Sequence, residues 1–230
     1  MRKLVRIILL AGAASGALSS VAIAQDARLF QNTASNTASN TASNHGETEP
    51  DQRSFGEKLS DRAIERTDHR VIYDPSYVPL SYPGGDVRSD RGVCADVIIR
   101  ALRPLGVDLQ KLVHEDMRDN FSSYPKLWGL TRPDKNIDHR RVPNLEAFFA
   151  RKGWSLAPSS NPNDYKPGDI VAWNLRGDAG FLAHIGIVTD QIGDSGWPLI
   201  VHNIGAGPEI EDVLFAWPMT GRYRVTASSL

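Results

Sequence analysis

The chain holds one cysteine, Cys94, and two histidines, His184 and His202, whose settings suit nucleophilic chemistry. Cys94 opens the amphipathic run Cys94-Ala95-Asp96-Val97-Ile98-Ile99-Arg100-Ala101-Leu102, just after the polar turn Ser89-Asp90-Arg91-Gly92. A thiol in the first turn of a helix feels the positive end of the helix dipole, which favours thiolate. His184 begins a β-rich run and His202 ends the next, so neighbouring antiparallel strands could bring the two rings side by side. In such a set the first imidazole takes the thiol proton, and a second polar residue orients it through its other ring nitrogen. A cationic imidazole would also hold the thiolate down in pKa. Successive strand residues face opposite sides, so only one of His202 and Asn203 can point at His184. The plainer alternatives are a small core cysteine and two hydrogen-bonded strand histidines.

The elements that must position these residues are legible in the pattern. Phe55, Leu59, Ala63 and Ile64 fall at helical spacing, and the Cys94 helix runs until Pro104 and Gly106 stop it. Between them lies a turn-rich aromatic stretch containing Tyr73, Tyr77 and Tyr82. Residues 107–121 fit no single period. Leu145 to Arg151 reads as a short helix after Pro143, closed by Gly153. Four β-rich runs follow: Asp169 to Trp173, His184 to Val188, Leu199 to His202 and Arg222 to Val225. Turns at Lys166-Pro167-Gly168, Arg176-Gly177-Asp178, Gly193 to Gly196 and Gly205 to Pro208 separate them. Helices first and an antiparallel meander afterwards predict an α+β fold.

Ahead of this domain, Arg2, Lys3 and Arg6 precede an apolar run from Ile7 to about Ser19, and Ala22-Ile23-Ala24 offers a cleavage site. This is an export signal, removed after about Ala24, so a periplasmic or secreted protein is expected. The repeat Asn32-Thr33-Ala34-Ser35, continued to Asn44, has almost nothing apolar to bury and is read as a disordered tether. The division is therefore 1–24 signal, 25–53 linker and 54–230 one domain. Without the three signal cations, 23 basic residues face 27 acidic ones, a net charge of −4 with His neutral. That balance gives no electrostatic footprint for nucleic acid or anionic membranes. Nor is any apolar run long enough for stable membrane insertion.

The order and context of these pieces resemble the papain-like NlpC-type cysteine peptidases of bacterial cell walls. The resemblance lies in Cys94-Ala95-Asp96, Lys166-Pro167-Gly168-Asp169-Ile170-Val171, Ala183-His184-Ile185-Gly186-Ile187-Val188 and Val201-His202-Asn203. A closer resemblance, across Asp61 to Arg224, is to the bacterial family called domain of unknown function 1287. It is carried by Gly92-Val93-Cys94-Ala95-Asp96-Val97, Val113-His114-Glu115-Asp116-Met117, Asn136 to Leu145 and His202-Asn203-Ile204-Gly205. The NlpC-type resemblance implies Cys94 as nucleophile, His184 as base and His202 as third member, with Asn203 the alternative. It also implies an upstream tyrosine lining the site, for which Tyr82 is the candidate. The family's usual Asp-Cys-Ser-Gly is here Val93-Cys94-Ala95-Asp96, a departure that bears on the substrate.

Asp138-His139-Arg140-Arg141 has no place in that set. It is either a solvated loop with an internal ion pair or a clamp in which Arg140 or Arg141 recognises a substrate carboxylate. His114-Glu115-Asp116 is a second polar cluster with no assignment beyond pocket lining. The expectation is a monomeric exported cysteine hydrolase, needing no cofactor or metal, that cleaves an amide in peptidoglycan stem peptides or cross-links. Backbone N–H groups at the start of the Cys94 helix would bind the oxyanion. An acyl transferase or deamidase with the same site, a metal hydrolase using Asp138, His139, His184 and His202, and a non-catalytic wall-binding module remain as rivals.

Overall fold

The computed structural model describes residues 51–229; the expected signal and Asn-Thr-Ala-Ser repeat lie outside them. Helix α1 (Phe55–Ile64) starts where Ser54 and Glu57 form a reciprocal capping box: Ser54 Oγ accepts from the Glu57 N–H, and Glu57 accepts from the Ser54 N–H. Helix α2 (Cys94–Leu102) is buried almost throughout and ends at a short 3-10 turn and Gly106, whose φ of 84° only glycine adopts readily. Ile98 and Leu102 on it are fully buried, each worth about 2 kcal/mol of apolar transfer. The ambiguous stretch 107–121 is helix α3 (Leu109–Asn120), capped by Asp108 and inward-facing at Leu109, Val113 and Met117. Helix α4 (Val142–Arg151) carries Pro143 in its first turn and drives Leu145, Phe148 and Phe149 inward.

Strands β1 (Ile72–Tyr73) and β2 (Arg91–Gly92) form a small parallel pair directly before α2. The main sheet holds β3 (Ser155–Leu156), β4 (Ile170–Asn174), β5 (Ala183–Ile192), β6 (Pro198–Asn203), β7 (Pro208–Glu211) and β8 (Met219–Tyr223). Its order is β3-β8-β4-β5-β6-β7, and every pair is antiparallel. The α+β expectation holds, with one correction to the meander. The last strand returns to lie between β3 and β4, because Asp169 accepts from Arg222 and Arg224 and so fastens β8 beside β4. The Pro-Gly-Asp turn has its own steric reason. A Cβ on Gly168 (φ 82°) would strike the backbone of Gly56 in α1, so glycine lets helix and turn touch.

Period-two alternation divides the sheet residues between two faces. Ile170, Ala172, Ile185, Ile187 and Val201 pack under the helices. Val171, Trp173, Val188 and Ile200 face the other way and are covered by Tyr165, Leu214, Phe215 and Trp217. His184 and His202 belong to this second face. Their position determines what they touch.

Candidate active site

Cys94 sits at the first residue of α2, 5% exposed, with β1 and β2 delivering the chain into it. The backbone N–H groups of Ala95 and Ile185 and the hydroxyl of Tyr73 bear on its sulfur, and each favours the thiolate. The Ile185 N–H belongs to the peptide unit that follows His184. The sulfur thus lies beside the β5 backbone one residue past His184. Among the described residues no hydrogen bond joins the Cys94 sulfur to either imidazole. His184 Nε2 instead pairs with His202 Nδ1 at 2.8 Å. The His184 ring stacks on Trp173, its cross-strand partner, at 5.9 Å between centroids, and Trp217 stands edge-on to both histidines.

On the far side of His202, Nε2 lies 2.7 Å from Glu211 Oε2, in a contact bent away from the ring N–H direction. A carboxylate there favours the tautomer with the proton on His202 Nε2. His202 Nδ1 then accepts from His184 Nε2–H, and the free lone pair of His184 is left on Nδ1. Asn203, one residue on, faces the helix side and lines a small crevice with Val93, Asp96 and Pro208. So His202, not Asn203, touches His184. Glu211 was not reached from the sequence. Pro208 to Glu211 is a four-residue strand directly behind a turn, and only the β6–β7 pairing brings Glu211 across.

The electrostatics depart from the thiolate–imidazolium expectation. Burial pushes the Cys94 thiol up to about 11, the Asp96 charge adds to this, and the three donors at sulfur only partly offset it. Burial, helped by His202, pushes His184 down to about 3, and it lowers His202 as well, against the pull of Glu211. At neutral pH the resting pair is a thiol and a neutral imidazole. The helix dipole does not overcome desolvation at this site.

The tyrosine expectation is also corrected. Tyr73, in β1, paired with Gly92 and 38% exposed, is the tyrosine beside Cys94, and partial desolvation, with the thiol's charge second, raises its own pKa. Tyr82 packs edge-on against His114 at 5.2 Å, within a turn that Gln110 holds by donating to the Ser81 carbonyl and accepting from the Gly85 N–H. The resemblance asked for a tyrosine upstream of Cys94, and Tyr73, not Tyr82, is the one beside the thiol.

Asp138-His139-Arg140-Arg141 is not a solvated loop. Asp138, His139 and Arg140 are buried, at 1%, 2% and 6% exposure. Arg140 forks onto Asp96, with Nε 2.9 Å from Oδ1 and Nη2 2.9 Å from Oδ2. It also donates to the carbonyls of Asp74 and Ser76, in the loop just after Tyr73. Asp96 Oδ2 in turn accepts the Val93 N–H at 2.7 Å. Arg140 therefore buckles the Cys94 helix start to the Tyr73 loop and is not free to clamp a substrate. Arg141 bonds Asp138 through Nη1 at 3.1 Å and lies over Trp128 at 4.2 Å. In the second polar cluster, Glu115 pairs with Lys111 and Asp116 ties α3 to Arg151 of α4. Among the described residues, Asp138, His139, His184 and His202 do not converge into a metal-holding group.

Burial also holds His139 down to about 4, below its unfolded value near 6.5. A depressed histidine contributes stability that is present above the unfolded pKa and lost as pH falls through the folded one. The melting temperature is expected to fall between pH 6.5 and 4, with His139 alone worth about 3 kcal/mol. His139→Gln should flatten part of that decline; equal acid sensitivity in the two proteins would refute the assignment.

At 58% identity over 166 residues, 72% of this chain and 80% of the other, the chain resembles Uncharacterized protein YijF of Escherichia coli (strain K12). Among solved structures, NlpC1 from Trichomonas vaginalis aligns with a TM-score of 0.42 and 15% identity over 76% of this chain, which spans 46% of that one. An N-acetylmuramoyl-L-alanine amidase from Bacteroides uniformis aligns with a TM-score of 0.47 and 14% identity over 74% of this chain and 98% of its own. The family Domain of unknown function (DUF1287) matches residues 60–225, and with that span covered the chain belongs to it.

Proposed function

We propose that this protein is an exported cysteine hydrolase that cleaves an amide bond in peptidoglycan stem peptides or cross-links. The observation that carries the proposal is the meeting of the Cys94 sulfur with the peptide next to His184, whose ring is hydrogen-bonded to His202. His184 and His202 pair at the end of the β5–β6 strands whose backbone lies beside the sulfur. The wall as target is supported by the NlpC-type motifs in the sequence and by the export signal ahead of the domain.

The chemistry starts from neutral partners. As Cys94 attacks the carbonyl carbon, its proton passes to the free lone pair of His184 Nδ1, and the Ala95 and Ile185 N–H groups stabilise the charge growing on sulfur. The Cys94 N–H, at the start of α2, binds the carbonyl oxygen as it becomes an oxyanion. Collapse breaks the C–N bond, and the His184 imidazolium returns its proton to the departing amine. Water, deprotonated by the same ring, then hydrolyses the thioester and restores the thiol. Glu211 sets the tautomer through His202, and Tyr73 positions the sulfur.

Mass spectrometry of purified sacculi treated with wild type and with Cys94→Ala tests the proposal. New peptide fragments are expected with wild type alone, and their masses name the bond. Identical digests would overturn the hydrolase reading; fragments bearing an added amine in place of water would turn it into a transferase.

A further inference from the structure

We infer that a groove beside the Cys94 helix start binds peptides through their free carboxylates, with Arg141 at one end and Arg132 with Lys135 at the other. The inference rests on the hydrolase reading and names what that site recognises.

Arg140 and Arg141 are adjacent in sequence and opposite in availability. All three guanidinium nitrogens of Arg140 are committed to Asp96, Asp74 and Ser76. Arg141 uses Nη1 alone, and its other two nitrogens have no protein partner among the described residues. Asp138, its one ion-pair partner, meets Nη1 alone, at 3.1 Å. Stacking on Trp128 fixes the guanidinium plane, so the open edge is presented without further ordering. A cavity of about 330 Å³ lies against this edge, and Val93, the residue before Cys94, forms part of its wall with Tyr77 and Trp128. A group held by Arg141 is thereby next to the nucleophile's helix.

Tyr77 also lines a second cavity, of about 530 Å³, containing His114, Arg132, Asp134 and Lys135. Neither Arg132 nor Lys135 is ion-paired among the described residues. Asp134, the carboxylate of this cavity, already accepts the Asn136 N–H at 2.9 Å. Two cations against one carboxylate leave an excess of positive charge. Tyr77 lines both cavities, and its hydroxyl accepts from Asn136 Nδ2 at 2.7 Å. An elongated ligand with two acid groups fits this distribution, whereas a neutral peptide leaves Arg132 and Lys135 without a counter-charge and the open edge of Arg141 unfilled. The charged edge of Arg141 matches a carboxylate by two parallel hydrogen bonds.

The test uses the full chain carrying Cys94→Ala. Its probes are the free stem tetrapeptide L-alanyl-γ-D-glutamyl-diaminopimelyl-D-alanine and the same peptide with every free carboxyl converted to carboxamide. Calorimetry is expected to show the acid form binding at least about tenfold more tightly. Arg141→Gln should reduce that preference, and so should Arg132→Gln with Lys135→Gln, two surface changes that leave the buried Asp96–Arg140 pair intact. Equal affinity for the two peptides, no binding of either, or an unchanged preference in both variants would overturn the inference. Turnover by the unmutated chain separates the two claims. Cleavage of both peptides at the same rate removes the groove and keeps the hydrolase. Acid-selective binding without any turnover removes the hydrolase and keeps the groove.

Discussion

Replacing His184 by Ala is expected to lower kcat/KM on wall peptides by about 10³-fold, while Glu211→Gln costs about 10- to 100-fold. The gap between the two numbers follows from where each residue stands. Among the described residues His184 is the only imidazole beside the peptide unit that meets the Cys94 sulfur, so its loss leaves the thiol proton with no acceptor. Glu211 touches nothing that reacts; it acts by favouring a proton on His202 Nε2, 2.7 Å away. An amide at that position no longer favours one tautomer. His202 can then carry its proton on Nδ1 and donate to His184, which moves the His184 proton to the nitrogen that should be bare. The readout that separates this from simple loss of folding is kcat falling with KM and melting temperature unchanged. Alkylation by iodoacetamide gives a second check. A thiol pushed up to about 11 reacts slowly at pH 7 and faster with each step in pH towards that value. A rate already on its plateau at pH 7 would mean a preformed thiolate and would refute the neutral pair. Wild-type turnover in His184→Ala would remove that residue from the chemistry.

What the sequence could and could not convey follows from the range of each signal. The helical spacing of Phe55, Leu59, Ala63 and Ile64, the break at Pro104 and Gly106, and the four β-rich runs are local signals, and each element overlaps its pattern, with β5 running four residues further and β8 starting three earlier. Val107 to Phe121 resisted reading because Leu109, Val113 and Met117 are diluted by Gln110, His114 and Glu115. Gln110 and His114 are spent on the turn that holds Tyr82. The faces of β5 and β6 follow from alternation, yet which face meets α2 depends on packing. Hence alternation left His202 and Asn203 as equals, and the packing of the sheet is what turns His202 to His184. Asp96 and Arg140 are 44 residues apart, and nothing in either block announces the other. A run of four charged or polar residues usually signals solvent. Here the run is interior because a second charge, equally buried, lies opposite. The pKa directions were missed for the same reason: the helix dipole is visible in sequence, and the desolvation that outweighs it is not.

That buried pair gives the largest expected effect on stability. Arg140→Ala should destabilise the fold by about 3 to 5 kcal/mol and lower the melting temperature by about 10 °C. The side chains of Arg140 and Asp96 are 2% and 4% exposed, so removing the guanidinium leaves Asp96 as an uncompensated charge in an apolar helix start. Asp96→Ala should cost a comparable amount, since it strands Arg140 and the Val93 N–H together. The double substitution should cost less than the sum of the two, because a site with neither charge carries no unpaired one. Arg140→Lys is not expected to rescue. One ammonium cannot span both Asp96 oxygens and also reach the carbonyls of Asp74 and Ser76, which a planar fork does. Function should follow stability here by a specific route. The same fork fixes the loop behind Tyr73 and the first turn under Cys94, so a cooler, still-folded Arg140→Lys protein should lose turnover while retaining its secondary structure. Additive single and double substitutions, or an Arg140→Lys protein with the wild-type melting point, would show that the pair is incidental to how Cys94 is held.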